Sequence, residues 1–291
     1  MSMPSQQMTI LPHNLRTGGH DRVIRLVLGP QNKKQPLVLV AAGPDHAVEA
    51  VAALTSLAHQ LVQPEAPILN APLYMELTPY PWTNLEGLPQ ESGVVCSQGH
   101  ETALTVTFKS PPFPYWAMPH VHLIQPNADV REQACLLGFG VVVEAAAQAT
   151  FGMTGIDPDH RITIIAGQSG TWRRELSNLL QRSLVAFLRH TGRLADHKES
   201  HGDDHLLYVS ASQLRWLHAE RHSFFEATLS PGDHFAPHQP IGRLVQPFDA
   251  ATPQTIACPH EGLVIATRQL RPVEAGDPII LVATTNPHDH D

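Results

Sequence analysis

A chain of 291 residues with 42% hydrophobic and 16% charged residues holds enough apolar side chains for a sizeable core, which excludes intrinsic disorder. Its net charge of −8 argues against nucleic acid or an anionic membrane as the main partner. No run approaches the roughly 18 apolar residues that span a bilayer, the start MSMPSQQMTI lacks a basic and apolar signal segment, and Cys96, Cys135 and Cys258 form no paired framework. The chain is therefore expected to be cytoplasmic, with free thiols.

In chain order, Thr9 to Gly29 predicts two extended pieces around the turn RTGGHD. Leu37 to Ala41 is a short aliphatic run that predicts a buried strand. Gly43-Pro44-Asp45 breaks it, with Asp45 placed as a helix N-cap. From His46 the period changes: Val48, Val51, Leu54, Leu57 and Leu61 recur at helical spacing. Leu73 to Leu77 completes a strand–helix–strand unit, whose first turn is where α/β proteins place ligands. That turn carries His46 and Glu49 in H-x-x-E spacing, which puts both on one helix face and within reach of one metal ion.

Leu104 to Phe108 predicts a strand ending at Lys109-Ser110, followed by a proline-rich loop, PPFPYWAMP. His120 and His122 are two residues apart on an extended segment and share a side. Arg131 to Phe139 predicts a short helix, Gly140 to Val143 a strand, and Arg161 to Ile165 a strand followed by the loop AGQSG. Glu175 to His190 predicts a helix with the stripe Leu176, Leu179, Leu180, Leu184, Phe187 and Leu188, and Gly192 suits its C-terminus. The polar stretch 194–205 reads as a linker. It divides residues 1–195, an α/β domain, from 206–291, where short strands recur between turns in the manner of an all-β module. The turns Gly232-Asp233 and Gly276-Asp277 give that module a quasi-repeat. No lysine follows Lys198, so it is not a biotin or lipoate carrier despite its biotinyl/lipoyl-like rhythm. His197, His201, His205, His288 and His290 fall in polar stretches and read as solvated.

Taken together, GPDHAVE, TIIAGQSG…LLQRSLVAFLRHTGRL, SPGDHFAPHQPIGRL and CPHEGLVIATRQLRPVEAGDPIILVA make the chain resemble the succinylglutamate desuccinylase/aspartoacylase family of zinc-carboxypeptidase-like deacylases. The resemblance implies a mixed sheet flanked by helices and a C-terminal barrel-like module. It also implies a metal-dependent hydrolase of small N-acylated amino-acid-like substrates, with zinc held by two histidines and a glutamate. His46 and Glu49 match two ligands if one residue is inserted after Gly43. Lys109 stands where the second histidine belongs, so His120 or His122 is the expected replacement. Ala166, with Gln168 nearby, stands where the general-base glutamate belongs, which leaves Glu144 and Glu175 as candidates. The arginine-bearing segment has no counterpart in 79–99. Losses concentrated at the chemistry give a second expectation, a pseudoenzyme that binds a small anionic ligand or a protein partner. Lys109, Arg173 and Arg174 would then form the anion site. Exposed strand edges make a homo-oligomer a further expectation.

Overall fold

The computed structural model describes residues 9–14, 22–30, 34–41, 47–77, 103–146, 151, 161–195, 206–246, 253–269 and 272–284. Strands β1 (Thr9–Asn14) and β2 (Arg22–Leu28) pair antiparallel, as the first two extended runs predict. β3 (Leu37–Ala41), α1 (Val48–Leu61) and β4 (Leu73–Leu77) form the parallel unit read from the switch in period. The expected cap Asp45 lies outside the described residues; α1 is preceded by Ala47, which makes no side-chain cap.

β5 (Leu104–Lys109) follows, then β6 (Tyr115–Leu123), α2 (Ala128–Cys135), β7 (Val141–Glu144), β8 (Arg161–Gln168) and α3 (Arg174–His190). The segment YWAMP is strand and not loop. Its Pro119 falls where the β6–β8 register shifts, between Ala117 and His120, and a residue without an N–H is tolerated at such a break in the ladder. β8 also runs three residues past its predicted end, because Ala117 and Trp116 of β6 pair with Gly167 and Gln168. The short helix begins three residues before its predicted start, where Asn127 accepts from the Val130 N–H at 2.9 Å and caps it. In α3 the stripe is buried except Leu179, which is exposed at the edge of the apolar face. Gly192 has φ +66°, the left-handed turn that ends the helix.

The remaining strands are β9 (Leu207–Ser210), β10 (Leu214–His218), β11 (Ser223–Ala227), β12 (His234–Phe235), β13 (Pro240–Val245), β14 (Gln254–Ala257), β15 (Gly262–Arg268), β16 (Pro272–Val273) and β17 (Pro278–Thr284). The quasi-repeat is visible in its turns. Asp233 Oδ2 accepts from Ser230 N at 2.8 Å and Asp277 Oδ2 from Glu274 N at 3.0 Å, with Gly232 and Gly276 at positive φ.

One mixed sheet runs in the order β1-β2-β4-β3-β5-β8-β6-β15-β17-β10, with β7, β9 and β12 beside it, and β14-β13-β11-β16 form a second sheet. The main sheet is continuous across the expected boundary: β15 pairs antiparallel with β6, and β9 pairs parallel with β7. Leu194, placed by the sequence in the linker, is fully buried and bridged to Leu69; residues 196–205 lie outside the described residues.

Alternation fixes two faces. Leu104, Val106 and Phe108 of β5, Ile162, Ile164 and Ala166 of β8 and Val121 and Leu123 of β6 share a core with α1 and α3. Ile165 of β8 points the other way, into a second core with Val143, Val209, Ile265 and Leu281.

Candidate functional site

β3, β4, β5 and β8 are parallel, so their carboxyl ends meet at one edge of the sheet, where α/β folds build ligand sites. Glu49 enters that edge from the first turn of α1. It is fully buried, and neither carboxyl oxygen has a hydrogen-bond partner among the described residues. Burial pushes its pKa up to about 7, against the opposing pull of the Glu49 and Arg173 backbone amides and the Arg173 charge. The Ser177 hydroxyl donates to the Glu49 carbonyl at 3.0 Å, tying α3 to the start of α1.

Gly167 makes room for this carboxyl. At φ +76° a Cβ there would stand 3.0 Å from Leu176 Cδ2 and 3.2 Å from Glu49 Oε1. Gly167→Ala is therefore expected to cost about 1–2 kcal/mol in left-handed strain and crowding and to turn the carboxyl away from the edge. Chemical denaturation reads the first effect, and the pKa of Glu49, followed by carboxyl NMR, reads the second.

Arg173 closes the other side. Its guanidinium carbon lies 4.3 Å from the centroid of the Trp116 ring, a cation–π contact that holds the charge over the indole. Trp116 is fixed opposite Gln168 by the β6–β8 register. Ser110, just beyond β5, is buried with an unpartnered hydroxyl among the described residues. From sequence, Ser110 and Trp116 could line a pocket or simply pack beside their prolines; what places Trp116 here is its pairing with Gln168, which no local pattern carries.

The other expected site residues go elsewhere. His46 lies outside the described residues. Lys109 pairs with Ile165, and His120 and His122 pair with Ile165 and Thr163, so all three project from the face opposite α1, α3 and Glu49. Glu144 is committed to Arg131 at 2.7 Å, which holds its carboxyl below the usual range and unsuits it as a base. Glu175 and Arg174 are exposed on the first turn of α3, where Glu175 borders a groove with Gln60 and Leu137.

The resemblance implies zinc. A buried carboxyl with neither oxygen partnered among the described residues suits a cation, but no group of three His, Cys, Asp or Glu side chains comes together among them. Those residues therefore do not by themselves fit a three-ligand zinc centre. No helix among them is long and apolar enough to cross a membrane.

The architecture is that of a mixed α/β protein with one large sheet and few helices, and solved structures share it along nearly the whole chain. A succinylglutamate desuccinylase/aspartoacylase-type protein from Shewanella frigidimarina is 12% identical, with a TM-score of 0.69 over 97% of this chain and 98% of that one. A protein of the same description from Shewanella amazonensis is 11% identical, with a TM-score of 0.68 over 96% and 99%. The ectoine utilization protein EutE from Ruegeria pomeroyi is 16% identical, with a TM-score of 0.62 over 98% and 100%. The resemblance read from the motifs is thus matched in the fold. No family model matches the sequence, and no curated protein matches it.

Proposed function

We propose that this chain binds a small N-acylated amino-acid-like anion at the carboxyl ends of β3, β5 and β8, in a deacylase-type site whose metal and general-base positions are largely lost. The observation that carries this reading is Glu49, a buried carboxyl without a partner among the described residues, with its pKa near 7 and Arg173 beside it. A group poised there exchanges protons at neutral pH. Arg173, held over Trp116, offers paired N–H groups to a carboxylate. The names of the similar structures point to amide hydrolysis as the reaction of such a site. In it, Glu49 takes a proton from water as the water oxygen attacks the acyl carbon; the C–N bond breaks, and the proton passes to the leaving amine. The C-terminal strands belong to this proposal as a barrel-like structural module.

A second reading, binding without turnover, is favoured by Ala166, which stands at the general-base position and is buried in the α1–α3 core. The test is calorimetry and product detection with N-succinylglutamate and N-acyl aspartates, with and without added zinc. Hydrolysis supports the deacylase reading, binding alone supports the second, and neither overturns the site. Arg173→Ala is expected to weaken binding about tenfold or more, since hydrogen bonds to a charged group contribute about 1.5–3 kcal/mol.

A further inference from the structure

His120 and His122 are fully or almost fully buried side by side on β6, away from the edge that holds Glu49. Each ring spends one nitrogen on a backbone carbonyl: His120 Nδ1 on Met118 O at 2.9 Å and His122 Nε2 on Ala145 O at 3.0 Å. A carbonyl only accepts, so these nitrogens carry the protons. The tautomers follow. His120 Nε2 and His122 Nδ1 are bare lone pairs, and neither has a partner among the described residues. Burial holds both rings neutral, with pKa values lowered to about 4. Thr163, paired with His122 on the neighbouring strand, adds a third buried polar atom, its hydroxyl oxygen, without a partner there.

An imidazole whose N–H is anchored to a carbonyl, with its other nitrogen buried and unpartnered among the described residues, is arranged as metal-ligating histidines are. At about 3.3 Å per residue the two side chains leave one face roughly 7 Å apart, a span that two rings close on one ion. Charge decides which ion. With no group of three His, Cys, Asp or Glu among the described residues, no carboxylate or thiolate completes the pair, and Lys109 stands on the same face through Ile165. A dication so placed would keep its charge uncompensated in an apolar layer. A soft monocation costs far less, and imidazole and thioether are donors it accepts. Met118 packs against the same core as Ile165, within the run Met118-x-His120-x-His122.

We propose that His120 Nε2 and His122 Nδ1, with the Met118 thioether beside them, form a buried site for a soft, low-charge metal ion of the copper(I) class, separate from the Glu49 edge.

Anaerobic titration of the full chain with copper(I) against a chromophoric chelator tests it. The expected result is one tightly held ion per chain, unaffected by Glu49→Gln. Affinity should fall at least tenfold in the double variant His120→Gln, His122→Gln. Where that variant fails to fold, X-ray absorption of the copper-loaded wild-type chain gives the same decision: two imidazole nitrogens, with sulfur at longer distance, support the site. A first shell without the imidazole pair overturns it, as do equal affinity in the double variant and equal competition by zinc.

Discussion

Glu49→Gln is expected to raise the stability of the protein at pH 8 by about 2 kcal/mol and to change it little at pH 4. The carboxyl has a folded pKa raised from 4.5 to about 7, so between these values the folded state holds a proton that the unfolded state has released. The stability linked to that proton is complete below about pH 4.5 and is lost as pH rises through about 7. At 1.36 kcal/mol per pKa unit the full difference is about 3 kcal/mol. Glutamine, itself a buried amide without partners among the described residues, returns only part of it. Urea midpoints of both proteins between pH 4 and 8, with a chelator present, make the measurement. Parallel curves across that range would show that the carboxyl is solvated or already paired. Because the same substitution abolishes proton exchange in the proposed site, a gain in stability with a loss of ligand turnover would mark Glu49 as a residue kept for its chemistry at the expense of the fold.

The elements that sequence read well are those whose pattern is local. α1 and α3 announce themselves through helical spacing, and β3 and β4 through aliphatic runs between turn residues. Gly232-Asp233 and Gly276-Asp277 mark turns because Asp closes its own loop onto the residue three before it. The site was legible only where it lay inside such a pattern, as Glu49 does. Spacing alone makes His120 and His122 plausible companions of Glu49, since it shows that the two histidines share a face but not which face. That choice is made by β8, which pairs Val121 with Ile164 in one core and sends His120 and His122 to the other. Trp116 lies in the run PPFPYWAMP, whose prolines predict a loop, yet its strand continues through Pro119 at a register shift. The pairing of β6 with β15, which joins residues before and after the polar stretch, is equally invisible to composition: a run such as ADHKESHGDDH reads as a linker whether or not the strands beyond it return to the same sheet.

The β6–β15 ladder has a large expected consequence. Gly262 begins β15, between Thr284 of β17 and Phe235 of β12. A Cβ at this position would lie 2.2 Å from the Ala283 carbonyl oxygen and 2.8 Å from Phe235 Cζ. Backbone is the nearer obstacle, and it cannot swing aside as a side-chain tip does, so Gly262→Ala is expected to cost about 3 kcal/mol or more. The informative quantity is where that loss appears. α1 and α3 lie in the first 195 residues, so the far-UV helical signal reports that part, while Trp216 of β10 packs edge-on against Tyr115 of β6 at 5.2 Å and Phe151 at 5.8 Å. If residues 206–291 fold as a separate module, the helical transition keeps its midpoint and an earlier fluorescence transition splits from it. β15, though, is hydrogen-bonded to β6, and the second core mixes Ile165 and Val143 with Ile265 and Leu281. An interface made of shared ladder and shared core transmits strain as one unit. Both signals are therefore expected to shift together to lower urea, with an unchanged m value.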